Sequence, residues 1–328
     1  MSLRVALVGL GEIGVGAHLP ALQRDSDVEV AALVDVSAQR RAAVAGVAPV
    51  FADLADVTDV TGLDGVVLAT PPWVTPELTV RALRDGLFVL AEKPVATSMA
   101  KTAAYDVLTD AERGRLQIGL TYRHDPALVE LRGWLTQGLL GAPLLVRAHI
   151  YDERRDPADP AHYDRIVATL GHGSPVVHEG AHVLDWLAYL LDGMPTSIDD
   201  AWALRTDPAY PGPNLTGARL GYAGGDTALL EFGWLTDALP RCEISLLGPR
   251  GHAVLDGATF RLQLSTVDQT IVVEPAGDRT ERCFDLQVAR FVDLIAGRSG
   301  PTPNLADGIA ALDVCERIAH AAKEAGPL

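Results

Sequence analysis

The stretch "RVALVGLGEIGVGAHLP" occupies residues 4–20. It opens as an apolar run rich in Val, Leu and Ala, which reads as a buried strand. It continues as "VGAHLPALQR" (15–24), whose apolar spacing reads as a helix. Between the two lie Gly9, Gly11 and Gly14, spaced G-x-G-x-x-G. A second apolar run, "EVAALVD" (29–35), ends in Asp35, 21 positions after Gly14. A strand, a glycine turn, a helix and a distant acid in this order form the dinucleotide fingerprint in its required context. Gly9 permits the tight turn, Gly11 lets backbone approach a pyrophosphate, and Gly14 lets the helix pack close to the strand. Glu12 and Ile13 sit inside that loop and join the same surface. The free N–H groups and positive dipole end of the helix would hold the phosphates. Asp35 would accept hydrogen bonds from ribose hydroxyls and repel a 2′-phosphate. NAD is therefore favoured, while Arg40 and Arg41 nearby leave NADP open as a second cofactor.

The alternation continues outward from this unit. "GVVLAT" (65–70), "FVLAEKP" (88–94) and "LQIGL" (116–120) read as further strands. "SAQRRAAVAG" (37–46), "PELTVRALRDG" (76–86) and "SMAKTAAYDVLTDAER" (98–113) read as helices. Strands alternating with helices predict an α/β domain with a parallel sheet, over residues 1–121. The chain changes style after that. A helix at 126–138 leads to a strand at 143–151 and a charged, proline-rich loop, "DERRDPADPAHYD" (152–164). A helix at 176–192 comes next. Seven strand-like runs with short turns fill 196–275, and helices at 284–296 and 304–325 close the chain. Consecutive strands joined by short turns predict a large, mostly antiparallel open sheet in an α+β domain over 122–328.

Composition narrows the class of partner. The 328 residues are 48% apolar, ample for a large core, and carry a formal net charge of −16. A field of that sign repels nucleic acid. No apolar run approaches the ~18 residues of a membrane helix. Glycines interrupt the N-terminal apolar run, so it reads as a first strand rather than a signal peptide. Cys242, Cys283 and Cys315 show no metal-ligand spacing, which suits a reducing compartment. The expected location is the cytoplasm, without nucleic-acid or membrane partners.

Two segments carry reactive side chains. "ATPPWVTPE" (69–77) follows a core strand, and its Pro-Pro pair forces the chain out at the carboxyl edge of the sheet. That places Thr70, Pro71 and Pro72 against the ligand crevice. "AEKPVA" (91–96) brings Lys93 to the same edge, where proton transfer is possible. "HEGAH" (178–182) satisfies H-E-x-x-H, the zinc protease signature. Its context opposes that reading. The extended motif requires Gly at 185 and His at 188, where this chain has Asp185 and Ala188. Asp185 also lies about 10 Å along the helix from His178, at ~1.5 Å per residue. No metal is expected. His178, His182 and Asp185 instead form one stripe, at about 0°, 40° and −20° around the helix, while Glu179 lies off it.

These segments resemble the Gfo/Idh/MocA oxidoreductases, named for glucose–fructose oxidoreductase and inositol dehydrogenase. "VALVGLGEIG", "ATPP", "ALRDGLFVLAEKPVATS", "GLTYRHDP" and "FVDLIAGRSGPTPNLADGIAALDVCERI" look like that family in its order. The resemblance implies NAD(P) on the N-terminal domain, contacted also by Glu92 and Lys93. It implies a C-terminal open sheet that walls the substrate site and commonly forms an oligomer interface, hence a homodimer or homotetramer. Lys93 would contact the reacting oxygen, with a cis Lys93–Pro94 bond. Tyr122 and Arg123 would close the site. "HEGAHVLD" matches the family's D-x-G-x-H-x-x-D at Gly180, His182 and Asp185. His182 would then be the acid/base partner of Lys93, and His178 would line the pocket in place of an aspartate. Thr75 stands where many members have His or Asn.

The implied activity is hydride transfer between nicotinamide and a hydroxyl or keto carbon of a sugar, cyclitol or related polyol. Two rival readings keep the cofactor. One is a dinucleotide-binding regulator without turnover, favoured by the aspartate missing at 178. The other is an NAD-dependent glycosidase.

Overall fold

The computed structural model describes residues 2–58, 62–237 and 242–324. Two sheets organise the chain. The first contains β1 (Leu3–Val8), β2 (Val28–Val34), β3 (Val50–Phe51), β4 (Gly65–Leu68), β5 (Phe88–Glu92) and β6 (Leu116–Gly119), in the order β3-β2-β1-β4-β5-β6. Every pairing in it is parallel. β4 and β6 are buried along their whole length. Burial on both faces explains why these strands read as continuous apolar runs rather than as alternation. The strand order reverses between β1 and β4, which opens a crevice at their carboxyl ends.

By its contacts the chain divides into two compact units. One comprises 1–124 and 280–309, the other 125–279 and 310–328. A single cut at 121/122 does not include the returning segment. That segment belongs with the parallel sheet for a packing reason. Helix Arg279–Ile295 buries Phe284, Val288, Phe291, Val292 and Leu294 in one core with Val5, Leu7, Leu22, Leu33 and Leu90. Gly65 makes room for it: a Cβ there would lie 3.0 Å from Phe291 Cζ and 3.1 Å from Ile295 Cδ1. Further on, Ile118 N–H donates to Pro303 O at 2.9 Å, which satisfies an edge-strand donor.

The second sheet contains β7 (Leu145–Tyr151), β8 (Ser197–Leu204), β9 (Leu215–Gly221), β10 (Thr227–Gly233), β11 (Glu243–Leu247), β12 (Gly251–Asp256), β13 (Leu262–Thr266) and β14 (Thr270–Val273). Their order is β14-β13-β12-β11-β7-β10-β9-β8. Only β7 and β10 pair in parallel, so the sheet is mostly antiparallel, as the short turns predicted. Alternation is clear. Val146, Ala148, Ala228, Leu230, Phe232, Ile244 and Leu246 are buried, while Arg147 and Glu231 on the opposite face are exposed. Helix Pro175–Leu190 packs against β9, β10 and helix Pro126–Thr136.

Three local readings are corrected. β3 went unread because two residues at a sheet edge carry no periodic signal. The helix expected over 98–113 breaks into a 3-10 segment, Met99–Val107, and a short helix, Asp110–Arg113. Leu108 is extended between them, and Thr109 starts the second helix with a capping box to Glu112. The T-x-x-E signature was legible in the sequence. The loop expected over 152–164 turns helical at Pro160, and the helix runs to Leu170. Asp159 caps it by accepting from His162 N–H at 3.0 Å, with Pro160 at the first helical position. Of the other expected elements, only Arg241, opening the run at β11, and Ala325, closing the last helix, lie outside the described residues.

Gly180 of the HEGAH segment has a packing role within its unit. A Cβ there would lie 2.9 Å from Cys315 Sγ and 3.1 Å from Val176 Cγ2. Gly180→Val overfills that contact and should lower stability by about 1–3 kcal/mol, read from chemical denaturation.

Candidate active site

The glycine loop leaves β1 at the switch point. Gly9 N–H donates to Val34 O at 2.8 Å, and Ala69 N–H donates to Val8 O at 2.8 Å, so the end of β1 stays locked to β2 on one side and to β4 on the other. Gly9 has φ +94°, and a Cβ there would lie 2.2 Å from Ala69 O. A Cβ at Gly14 would lie 2.0 Å from Gly9 O. Both positions therefore exclude any side chain. Gly11 differs, since nothing lies within 4 Å of its would-be Cβ. The loop is thus tight against the protein at Gly9 and Gly14 and open at Gly11, the geometry a pyrophosphate needs. Glu12 and Ile13, in the helix's first turn, are exposed beside it.

The helix opens into a π turn over Gly14–His18, with Leu19 N–H bonded to Gly14 O. Pro20 supplies a cause, because it lacks an N–H and its ring crowds the carbonyl four residues back. His18, the last residue of that turn, is fully buried. Its Nε2 lies 2.7 Å from Glu92 Oε1, and its ring meets Phe284 edge-on at 4.9 Å. No sequence signal separates this histidine from a solvated one.

Asp35 is buried at the end of β2. Its Oδ2 accepts from Leu10 N–H and its Oδ1 from Ser37 N–H, both at 2.8 Å. The carboxylate thus ties the glycine loop to the turn after the second strand. Arg40 Nη1 stands 3.5 Å from Asp35 Oδ2, and Arg41 Nη1 donates to the carbonyls of Asp35 and Val36.

After β4, Thr70, Pro71 and Pro72 leave the sheet edge as predicted. Thr75 explains how that turn is held. It is fully buried, its Oγ1 lies 2.8 Å from Thr70 Oγ1, and it reaches the carbonyls of Thr70 and Pro71 at 3.1 and 3.0 Å. After β5 comes Glu92, whose Oε2 accepts from Lys93 N–H at 3.2 Å. Lys93 is half-buried, and the Lys93–Pro94 bond is cis. After β6, Tyr122 and Arg123 lie in a 3-10 turn, where Arg123 Nη1 donates to Asp307 Oδ2 at 3.2 Å. All the residues expected at the cofactor thus stand at the carboxyl ends of the parallel strands, on one unit.

The remaining candidates belong to the other unit. His178, His182 and Asp185 lie on helix Pro175–Leu190, with Asp185 buried and both histidines half-buried. His178 stacks on Trp234, ring centroids 5.3 Å apart and planes at 25°. Trp234 closes a small core with Ile166, Leu170, Tyr210 and Leu235. The periodicity that flagged His178 held no hint of this partner, 56 positions downstream. Among the described residues no group of three or more His, Cys, Asp or Glu is placed to hold a metal ion.

A dinucleotide-binding parallel sheet, a lysine at its carboxyl edge and a second α+β unit define an oxidoreductase of two-part design. The comparisons agree. Residues 3–120 match the model of the Gfo/Idh/MocA oxidoreductase family with its NAD-binding Rossmann fold, and 128–254 match the Gfo/Idh/MocA C-terminal domain. The chain is 29% identical to inositol 2-dehydrogenase of Leifsonia xyli subsp. xyli, covering 99% of this chain and 95% of that one. It is 30% identical to inositol 2-dehydrogenase 4 of Saccharopolyspora erythraea, covering 99% and 92%. A putative myo-inositol dehydrogenase from Sinorhizobium meliloti 1021 shares the fold at TM-score 0.82 and 21% identity, over 99% and 98% of the two chains. The chain belongs to the Gfo/Idh/MocA family and is an oxidoreductase with an NAD-binding Rossmann domain.

Two outcomes test this site. Asp35→Ala removes both the expected ribose acceptor and the Leu10 anchor. It should raise the Kd for NADH about tenfold or more, by fluorescence titration, since hydrogen bonds to a charged group contribute about 1.5–3 kcal/mol. His124 reports on pH. Burial pushes its pKa down to about 4, against the bond between Nε2 and Thr302 O at 3.0 Å. The unfolded chain takes up that proton below its ordinary 6.5 while the folded chain resists until about 4. The stabilising effect is complete above the higher value and is lost as pH falls between the two, by about 3 kcal/mol. His124→Gln should flatten that part of the denaturation-versus-pH curve.

Proposed function

We propose that this oxidoreductase interconverts a hydroxyl and a keto group on a ring carbon of a sugar or cyclitol. The observation that carries the reading is the lysine at the carboxyl end of β5, held by an anchored glutamate, on the same sheet edge as the glycine loop. The inositol dehydrogenases among its relatives support the substrate class. Gly9, Gly11, Glu12, Ile13, Gly14, Asp35, Thr70, Pro71, Pro72, Glu92 and Lys93 would hold the dinucleotide. Asp35 favours NAD, because a carboxylate beside the ribose repels a 2′-phosphate; Arg40 and Arg41 make NADP the second choice. When bound, the nicotinamide supplies the hydride acceptor or donor.

The chain's own task is the proton and the orientation. Lys93 Nζ and a ring nitrogen of His182 would act on the reacting oxygen, one moving the proton and the other polarising the bond. Asp185, three residues from His182 and buried, would orient that ring. Tyr122, Arg123 and His178 would complete the substrate contacts. In this reading residues 1–121, with the returning segment 280–309 packed on them, form the cofactor domain, and the rest of 122–328 forms the substrate-binding and oligomerisation domain. The exposed face of the eight-stranded sheet would bury itself in a homodimer or homotetramer. Among the described residues no helix is long and apolar enough to cross a membrane. The net charge of −16 weighs against nucleic-acid partners, and the cytoplasm is the location proposed.

The test is turnover against a panel of sugars and cyclitols, followed by reduced-nicotinamide absorbance. Lys93→Ala should lower kcat by about 10²- to 10⁴-fold while the Kd for NADH stays within a few-fold. Full activity in that variant, or no reaction of the wild type with any polyol, overturns the proposal.

A further inference from the structure

The parallel-sheet unit holds a part-buried relay that the glycine motif and the E-K-P turn do not explain separately. His18 ends the π turn of the dinucleotide helix and is wholly excluded from solvent. Glu92, at the end of β5, places Oε1 2.7 Å from His18 Nε2 and Oε2 3.2 Å from Lys93 N. Both oxygens of one carboxylate are therefore engaged, one on each element. The backbone N–H of Lys93 can only donate, so Oε2 accepts. His18 Nδ1 has no hydrogen-bond partner among the described residues. A neutral ring with its proton on Nε2 donates to Oε1 and leaves no buried N–H unpaired, the arrangement with the smallest desolvation cost.

The surroundings are shaped to this pair. Phe284 meets the imidazole edge-on at an interplanar angle of 88° and blocks its rotation on that side. Gly119 on β6 leaves the space that the carboxylate fills. A Cβ there would lie 2.9 Å from Glu92 Oε1 and 3.1 Å from Glu92 Cα. A glutamate confined on three sides has few rotamers left, and its second oxygen can hold a backbone amide in place.

We infer that His18 is a positioning residue: through Glu92 it fixes the backbone of the E-K-P turn, and so the approach of Lys93 to the reacting oxygen. The inference rests on Lys93 being the proton-transfer residue proposed above. His18 touches neither substrate nor cofactor in this role. It couples the helix that receives the pyrophosphate to the strand end that carries the lysine. Misplacement of a catalytic group by about 1 Å can cost about 10²-fold in rate, so a relay of two hydrogen bonds is sufficient to matter.

The experiment compares His18→Asn, His18→Leu and His18→Gln in the full-length chain. The Gln amide nitrogen can stand where Nε2 stands; the Asn amide falls short, and Leu offers no donor. Two readouts are taken. The first is kcat, with the Kd for NADH by fluorescence. The second is the labelling rate of Lys93 by an amine-reactive anhydride, quantified by peptide mass spectrometry, which needs no substrate. Asn and Leu should lower kcat by about 10- to 100-fold with the Kd within about threefold. They should speed Lys93 labelling at least threefold, as the turn loosens, while Gln restores both toward wild type. Wild-type kcat or wild-type labelling in Asn and Leu overturns the inference. So does failure of both to fold while Gln folds, because the role is then structural. If wild type turns over no polyol yet Lys93 labelling still shifts with His18, the relay stands and the proposed reaction falls.

Discussion

Backbone meets backbone at Gly9. The carbonyl of Ala69 lies where a Cβ would stand, and the carbonyl of Gly9 in turn lies where a Cβ of Gly14 would stand. This contact brings the ends of β1 and β4 together and aims the helix that follows. Everything at the carboxyl edge takes its position from it: the loop that opens at Gly11, the Pro-Pro turn braced by Thr75, and the strand end that carries Glu92 and Lys93. A single methyl group at Gly9 or Gly14 has nowhere to go, because the obstacle is main chain rather than a side chain that can rotate.

Buried and part-buried carboxylates then tie neighbouring segments together across that edge. Asp35 links the loop after β1 to the turn after β2 by accepting from Leu10 and Ser37. Glu92 links the helix after β1 to the turn after β5. In each case a carboxylate divides its two oxygens between two segments. Such bonds are strong because the acceptor is charged and shielded from water. Their effect is rigidity where a cofactor must find its groups already in place. The net charge of −16 is compatible with an anionic cofactor, since a glycine loop at a helix start offers main-chain amides rather than side chains.

The second unit shows how one sheet can serve two surroundings. Its buried face carries small and branched apolar residues against helices, and its other face carries Arg147, Glu231 and their neighbours toward solvent. Helix Pro175–Leu190 packs closely at two of its positions. Gly180 allows close contact with Cys315, while His178 is pressed flat on Trp234. The HEGAH string thus splits into residues with separate packing partners.

The parallel sheet, the mostly antiparallel sheet and the dinucleotide fingerprint were legible in the chain, because each rests on a local rule: apolar periodicity, turn residues, or fixed spacing between glycines and an acid. The capping box at Thr109 and the Asp-Pro start at 159–160 were also present in the letters, though they were outweighed by a longer helical pattern and a charged loop composition. Tertiary structure alone decided the rest. The return of 280–309 to the first sheet, the meeting of His18 with Glu92 across 74 positions, and the stack of His178 on Trp234 depend on which surfaces bury each other. Periodicity says that a face is buried. It does not say against what, because that choice is made by packing among elements far apart in the chain.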